Sequence, residues 1–216
     1  MGRGLVPHHE RPTWRGWLHT VAFAIAIPAG VYLVLIAERT SGKVAAAIYF
    51  VSVLLGFGTS AAYHRLARTD RAQRIMQRMD HSMIYVLIAG TYTPVCLLAM
   101  PKGWGIPMLC VVWTTALVGV VLKQFAFHRW QLVAYSLYPI MGWAAVVTMP
   151  VLVDLLTVGQ LLLLVAGGLI YTVGIPVLVR ARPDPWPRTF GYHEVWHACT
   201  VLAAGCHFAL VGSLVA

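Results

Sequence analysis

Long apolar stretches alternate with short polar breaks along almost the whole chain. Seven stretches stand out, at 17–37, 44–66, 81–100, 105–122, 131–153, 158–179 and 193–214. Each is close to the roughly 20 residues that an α-helix needs to cross a bilayer core. The breaks carry charge and turn residues: 38–43, an arginine-rich 65–79, 101–105, 123–130, 154–159 and a proline-rich 180–192. The pattern predicts an all-α membrane protein, a single seven-helix transmembrane domain over 1–216.

Composition agrees with the pattern. Hydrophobic residues make up 59% of the chain and charged residues 11%, against about 45–50% and about 25% in soluble proteins. With 216 residues, seven spans leave no room for a separate soluble domain. The first sixteen residues are too charged for a signal peptide, and the apolar segment behind them is long enough to span. A net charge of +9 raises the question of nucleic acid. The basic residues are instead distributed by loop, which suits attraction to anionic lipid head groups. Membrane lipids are the expected partners, and nucleic acid is not. Cys96, Cys110, Cys199 and Cys206 all fall in apolar segments without a CxxC spacing. They read as soft packing residues, neither disulfides nor zinc thiolates.

The loop charges set an orientation. Arg3, Arg11 and Arg15 precede the first segment; Arg65, Arg68, Arg71, Arg74 and Arg78 fill the second loop. Lys123, Arg129, Arg180, Arg182 and Arg188 occupy the fourth and sixth loops, whereas Arg39, Lys43 and Lys102 alone face the other side. The positive-inside rule then places the N-terminus in the cytoplasm and the C-terminus outside.

Against this topology a few polar residues fall into register. Ser60 and His64 lie four apart, as do His193 and His197, so each pair shares one helix face. Asp80 opens the third segment. All five come to one depth, just inside the cytoplasmic interface. Ionisable groups at such depth are functional candidates, and three imidazoles with a carboxylate nearby are the minimum set for a catalytic zinc site. Gly56, Ser60 and His64 form a stripe that aims the imidazole into the bundle.

Each residue also has a structural alternative. His64 can sit at the interface among the arginines, Ser60 can bond its own helix, and Asp80 can be the N-cap of the third helix. His81 points about 100° away from Asp80 around the helix and reads as an interface residue or a polar support. The sequence His193-Glu194-Val195-Trp196-His197 fits HExxH, in which the glutamate is a general base. Glu194 can equally complement the helix dipole or pair with Arg188.

Other polar groups look structural. His207 lies some 15 Å beyond His197 along a helix and cannot share its metal. Tyr92, Thr93 and Pro94 predict a kink, while His8, His9, His19 and His128 are expected at solvated or interfacial positions. Trp14, Trp17, Trp104, Trp130, Trp186 and Trp196 fall near span ends, as an aromatic belt would.

These residues resemble the hemolysin III branch of the progestin and adipoQ receptor family. The matching stretches are Ser60-Ala-Ala-Tyr-His64, Met79-Asp80-His81-Ser82, Gly90-Thr-Tyr-Thr-Pro94 and Gly191-Tyr-His193-Glu-Val-Trp-His197. The resemblance implies a Zn2+ ion near the cytoplasmic face, held by His64, His193 and His197. Asp80 would contact the zinc-bound water, with Ser60 supporting it. Adiponectin receptors of this family look like ceramide hydrolases, and bacterial hemolysin III members take their name from pore formation. At the N-terminus, where an acidic residue and an asparagine commonly precede a histidine, Trp14-Arg-Gly-Trp-Leu-His19 retains the histidine alone.

The resulting expectation is an integral protein of the bacterial plasma membrane, a zinc-dependent hydrolase of a ceramide-like lipid amide or ester. Its catalytic residues would be Asp80 and Ser60, and its substrate would enter laterally between helices. A non-enzymatic hemolysin III-type protein, receptor-like or pore-forming with a structural zinc, is the alternative. An intramembrane metalloprotease built on Glu194 lacks an acidic third ligand, since Asp154 falls on the predicted outer side.

Overall fold

In the computed structural model, residues 11–127 and 129–216 are described. Arg3, His8, His9 and His128 lie outside them. The chain is helical nearly throughout: α1 Trp17–Ile36, α2 Thr40–Leu66, α3 Asp70–Pro94, α4 Lys102–Phe125, α5 Gln131–Trp143, α6 Ala145–Leu155, α7 Val158–Arg180 and α8 Tyr192–Val215. Among the described residues there is no strand, only an isolated bridge between Trp186 and Phe190. Seven spans are long and apolar enough to cross a membrane, with α5 and α6 together forming one of them. Consecutive spans pack side by side, and the bundle closes where α1 meets α8 and α5 meets α7.

Close helix approach rests on small residues, because apolar side chains gain nothing by leaving lipid for each other. The inward face of α2 shows the spacing: Ala46, Tyr49, Val53, Phe57, Ser60 and His64 are all buried. They recur every three or four residues, the period of one helix face. Where α2 crosses α3, a Cβ on Gly90 would come within 2.1 Å of the Ser52 hydroxyl. Outer faces stay apolar and open, as Leu132, Leu162 and Val173 illustrate.

Two elements depart from the hydropathy pattern. Helix α3 begins eleven residues before the apolar stretch, so the arginine-rich segment is mostly helix and not loop. Thr69 is its N-cap, the hydroxyl accepting from the Ala72 amide at 3.2 Å, with Asp70 in the first turn. Asp80 is therefore about 15 Å along the helix and not its cap. At the other end, Tyr92–Pro94 lead into a π-helical turn at Val95–Ala99, the interruption expected of that tripeptide.

The fifth span is broken at Ala144 into α5 and α6. The Tyr92 hydroxyl repairs the break, donating to the Met141 carbonyl at 2.7 Å and accepting from the Ala145 amide at 2.7 Å. This satisfies backbone groups that lipid cannot.

Lys123 is a last-turn residue of α4, not a loop charge. It is fully buried, and its Nζ lies 3.4 Å from the Tyr135 ring centroid without a hydrogen-bond partner among the described residues. Trp196 is likewise no belt residue, since it packs over Gly174 between α7 and α8. The other five tryptophans of that set are exposed near helix ends.

Candidate metal centre

His64 sits in the last turn of α2, and His193 and His197 occupy the first two turns of α8. The helices bring all three imidazoles together. His64 Nε2 is 3.2 Å from His193 Nε2, and one nitrogen from each ring lies within 4.8 Å of the others. Ring centroids are 4.6–5.0 Å apart and the planes are steeply inclined. The ring edges face one another. Two nitrogens of a tetrahedral zinc would stand about 3.3 Å apart, close to the His64–His193 spacing, while the set as a whole spreads to 4.8 Å. His64 and His197 are buried and His193 is partly so. The Nδ1 of His197 is buried without a hydrogen-bond partner among the described residues.

Ser60, one turn before His64, is 3% exposed. It lies beside Asp80 of α3. Its hydroxyl pairs with His19 Nδ1 at 2.8 Å. His19 is not interfacial. It is buried, its Nε2 is 2.8 Å from the Thr200 hydroxyl, and its ring stacks on His197 at 3.7 Å and 8°. Nearness to a loop predicts an interfacial place for His19. Yet it is a polar residue inside the first apolar stretch, at the same depth as the others, and that is the signal in the chain that marks it.

Glu194 is fully buried and committed on both oxygens. Oε2 accepts from the Gly191 amide at 2.8 Å, a reach-back contact at the helix N-terminus. Oε1 accepts from Arg15 Nε, so the partner is Arg15 and not Arg188. His81 faces the opposite side, with Nδ1 3.3 Å from the Tyr135 hydroxyl and its carbonyl accepting from Tyr138 at 2.7 Å. That is the polar-support role among α3 and α5. His207 packs over Gly167 with Nε2 3.4 Å from the Leu164 carbonyl, away from the cluster. All four cysteines are free thiols.

The segment ahead of α1 lies across this end. Arg11 donates to the His64 carbonyl at 3.2 Å, and the Thr13 and Trp14 amides bond the carbonyls of Arg188 and Thr189 at 3.1 Å. Gly16, at φ +82°, passes so close that a Cβ there would stand 2.6 Å from the Cβ of His64.

A seven-span helical bundle with three imidazoles gathered at one end defines an integral, multi-pass membrane protein with an intramembrane histidine cluster. The chain belongs to the haemolysin-III related family, whose model matches residues 8–208. It is 32% identical over 196 residues to the hemolysin-3 homolog of Bacillus subtilis (strain 168), covering 89% of each chain. Identity to hemolysin-3 of Bacillus cereus is 33% over 184 residues, covering 83% of this chain and 80% of that one. A progestin and adipoQ receptor-like protein 1 from Caenorhabditis elegans is 25% identical over 190 residues, 77% of this chain and 42% of that protein. With its bacterial relatives and seven apolar helices, the protein is a multi-pass protein of the plasma membrane.

Proposed function

We propose that the protein is a zinc-dependent hydrolase that cleaves an amide or ester bond of a ceramide-like lipid near the cytoplasmic face. The observation that supports this best is the convergence of His64, His193 and His197, with ligand nitrogens within 4.8 Å, at the end of the bundle where Asp80 lies beside Ser60. Three imidazoles suit zinc and leave a fourth position open, the arrangement of catalytic rather than closed sites. When bound, zinc supplies Lewis-acid polarisation of a carbonyl and a lowered pKa for water. Asp80 would orient a water or take a proton at a carboxylate oxygen, with Ser60 beside it. The lipid reaches the site laterally between helices, and the arginine-rich stretch at this end supports a cytoplasmic placement.

Glu194 does not suit a general base, since both of its oxygens are engaged by Arg15 and Gly191. A non-enzymatic, hemolysin III-type role, with the ion stapling α2 to α8, is the rival reading. It draws on the hemolysin-3 names of the two Bacillus relatives.

One experiment separates them: metal analysis and ceramide-amide turnover with purified wild-type, His64→Ala and Asp80→Ala protein. Hydrolysis predicts about one zinc per chain, lost in His64→Ala. Asp80→Ala should keep zinc while turnover falls about 10²–10⁴-fold. Zinc without turnover of any lipid in the wild type supports the stapling role. Equal zinc content in wild type and His64→Ala removes the site altogether.

A further inference from the structure

Histidine ligands are ordinarily held in orientation by a hydrogen bond from the ring nitrogen that does not face the metal. His197 departs from this, because neither of its ring nitrogens hydrogen-bonds a described residue, so whichever faces the ion the other holds nothing. Something else must set the plane of that ring. Among the described residues, the ring laid flat along it is His19, with centroids 3.7 Å apart and an 8° angle between planes.

His19 is itself held from both edges. Nδ1 pairs with the Ser60 hydroxyl on α2 and Nε2 with the Thr200 hydroxyl on α8, both at 2.8 Å. Thr200 donates its own proton to the His197 carbonyl at 2.8 Å. Its oxygen therefore accepts from His19 Nε2–H, and in the neutral ring Nδ1 accepts from Ser60. Phe57 lies 5.0 Å from the His19 ring. With both nitrogens occupied, His19 is unavailable as a fourth ligand. Its orientation is nevertheless more tightly determined than that of the ligand it covers.

We propose that His19 is a positioning residue of the metal centre: a plate, pinned by Ser60 and Thr200, that fixes the plane of the His197 ring. Helix α1 is then a working part of a site otherwise built from α2, α3 and α8. Ser60 spends its one hydroxyl proton on His19 Nδ1, so its part in the site is to anchor the plate. This proposal rests on the zinc reading above.

The test uses full-length protein in detergent, stripped of metal and titrated with Zn2+ against a chromophoric chelator, then with Co2+ to record its visible ligand-field bands. His19→Ala should weaken zinc binding about 10–100-fold, the usual effect of losing a ligand's supporting group. The cobalt bands should shift with it. Ser60→Ala and Thr200→Val, which free the plate without removing it, should give smaller shifts in the same direction. His19→Phe covers the case in which His19→Ala does not fold. It keeps an aromatic face but loses both anchoring nitrogens, so its cobalt spectrum should still differ from wild type. Folded His19 variants that bind zinc within about twofold of wild type, with unchanged cobalt bands, overturn the proposal and leave the zinc site standing. Wild-type protein that binds no zinc overturns the metal reading and this role with it.

Discussion

Arg15 and Glu194 form an ion pair between the segment ahead of α1 and the first turn of α8, Nε donating to Oε1 at 2.5 Å. The carboxylate is 1% exposed and the guanidinium side chain 13%. Residues 179 positions apart thus close the bundle at the end that carries the histidines. The other carboxylate oxygen still accepts from the Gly191 amide, so one side chain caps a helix and anchors the strap that crosses it.

Removing one partner of a buried pair leaves the other charge uncompensated, at about 3–5 kcal/mol in the fully buried limit. Arg15 keeps some contact with solvent, which puts Glu194→Ala at the lower end of that range. Glu194→Gln should cost less, because an amide oxygen can still accept from Gly191. Both variants should retain zinc. Thermal unfolding in detergent with metal analysis checks this, and zinc loss without destabilisation would instead assign Glu194 to the metal.

Gly16 makes a second prediction about the same strap. Its φ of +82° is a left-handed conformation, which costs an L-residue roughly 1–2 kcal/mol. A Cβ would also stand 2.6 Å from the Cβ of His64. Gly16→Ala should therefore lower stability by more than the strain alone and weaken zinc binding by displacing His64. Unchanged stability and zinc affinity would show that the strap is slack against α2.

Tyr92 lies about 18 Å beyond Asp80 along the helix, so its effect should be separable from the metal. Tyr92→Phe leaves the Ala145 amide and Met141 carbonyl without the hydroxyl that joins them. An orphaned buried polar group costs about 1–3 kcal/mol. Stability should fall by that order and amide exchange should rise around Ala144, with zinc content unchanged. Exchange that stays slow there would mean the break is held by other contacts.

Several of these relationships were legible before the fold. His64 on a small-residue stripe and His193 with His197 on one face follow from helical periodicity, and the depth argument placed them together. Asp80 lies within a helix and not at its start. Hydropathy ends a span where charges begin, whereas Thr69 and Asp70 start a helix that charges do not interrupt. A cation is expected to seek water, which predicts a loop for Lys123, and the aromatic ring of Tyr135 supplies a substitute.

What the sequence by itself determined is the set of spans and the faces of each helix. Both depend on interactions among near neighbours and on the cost of an unsatisfied backbone in lipid. Only the tertiary structure decided that His64 and His193 meet at 3.2 Å, that Arg15 takes Glu194, and that His19 lies on His197. These contacts join residues 129 to 179 positions apart. They are set by how closely helices approach, which depends on which small residues happen to face each other. No local period in the chain carries that information.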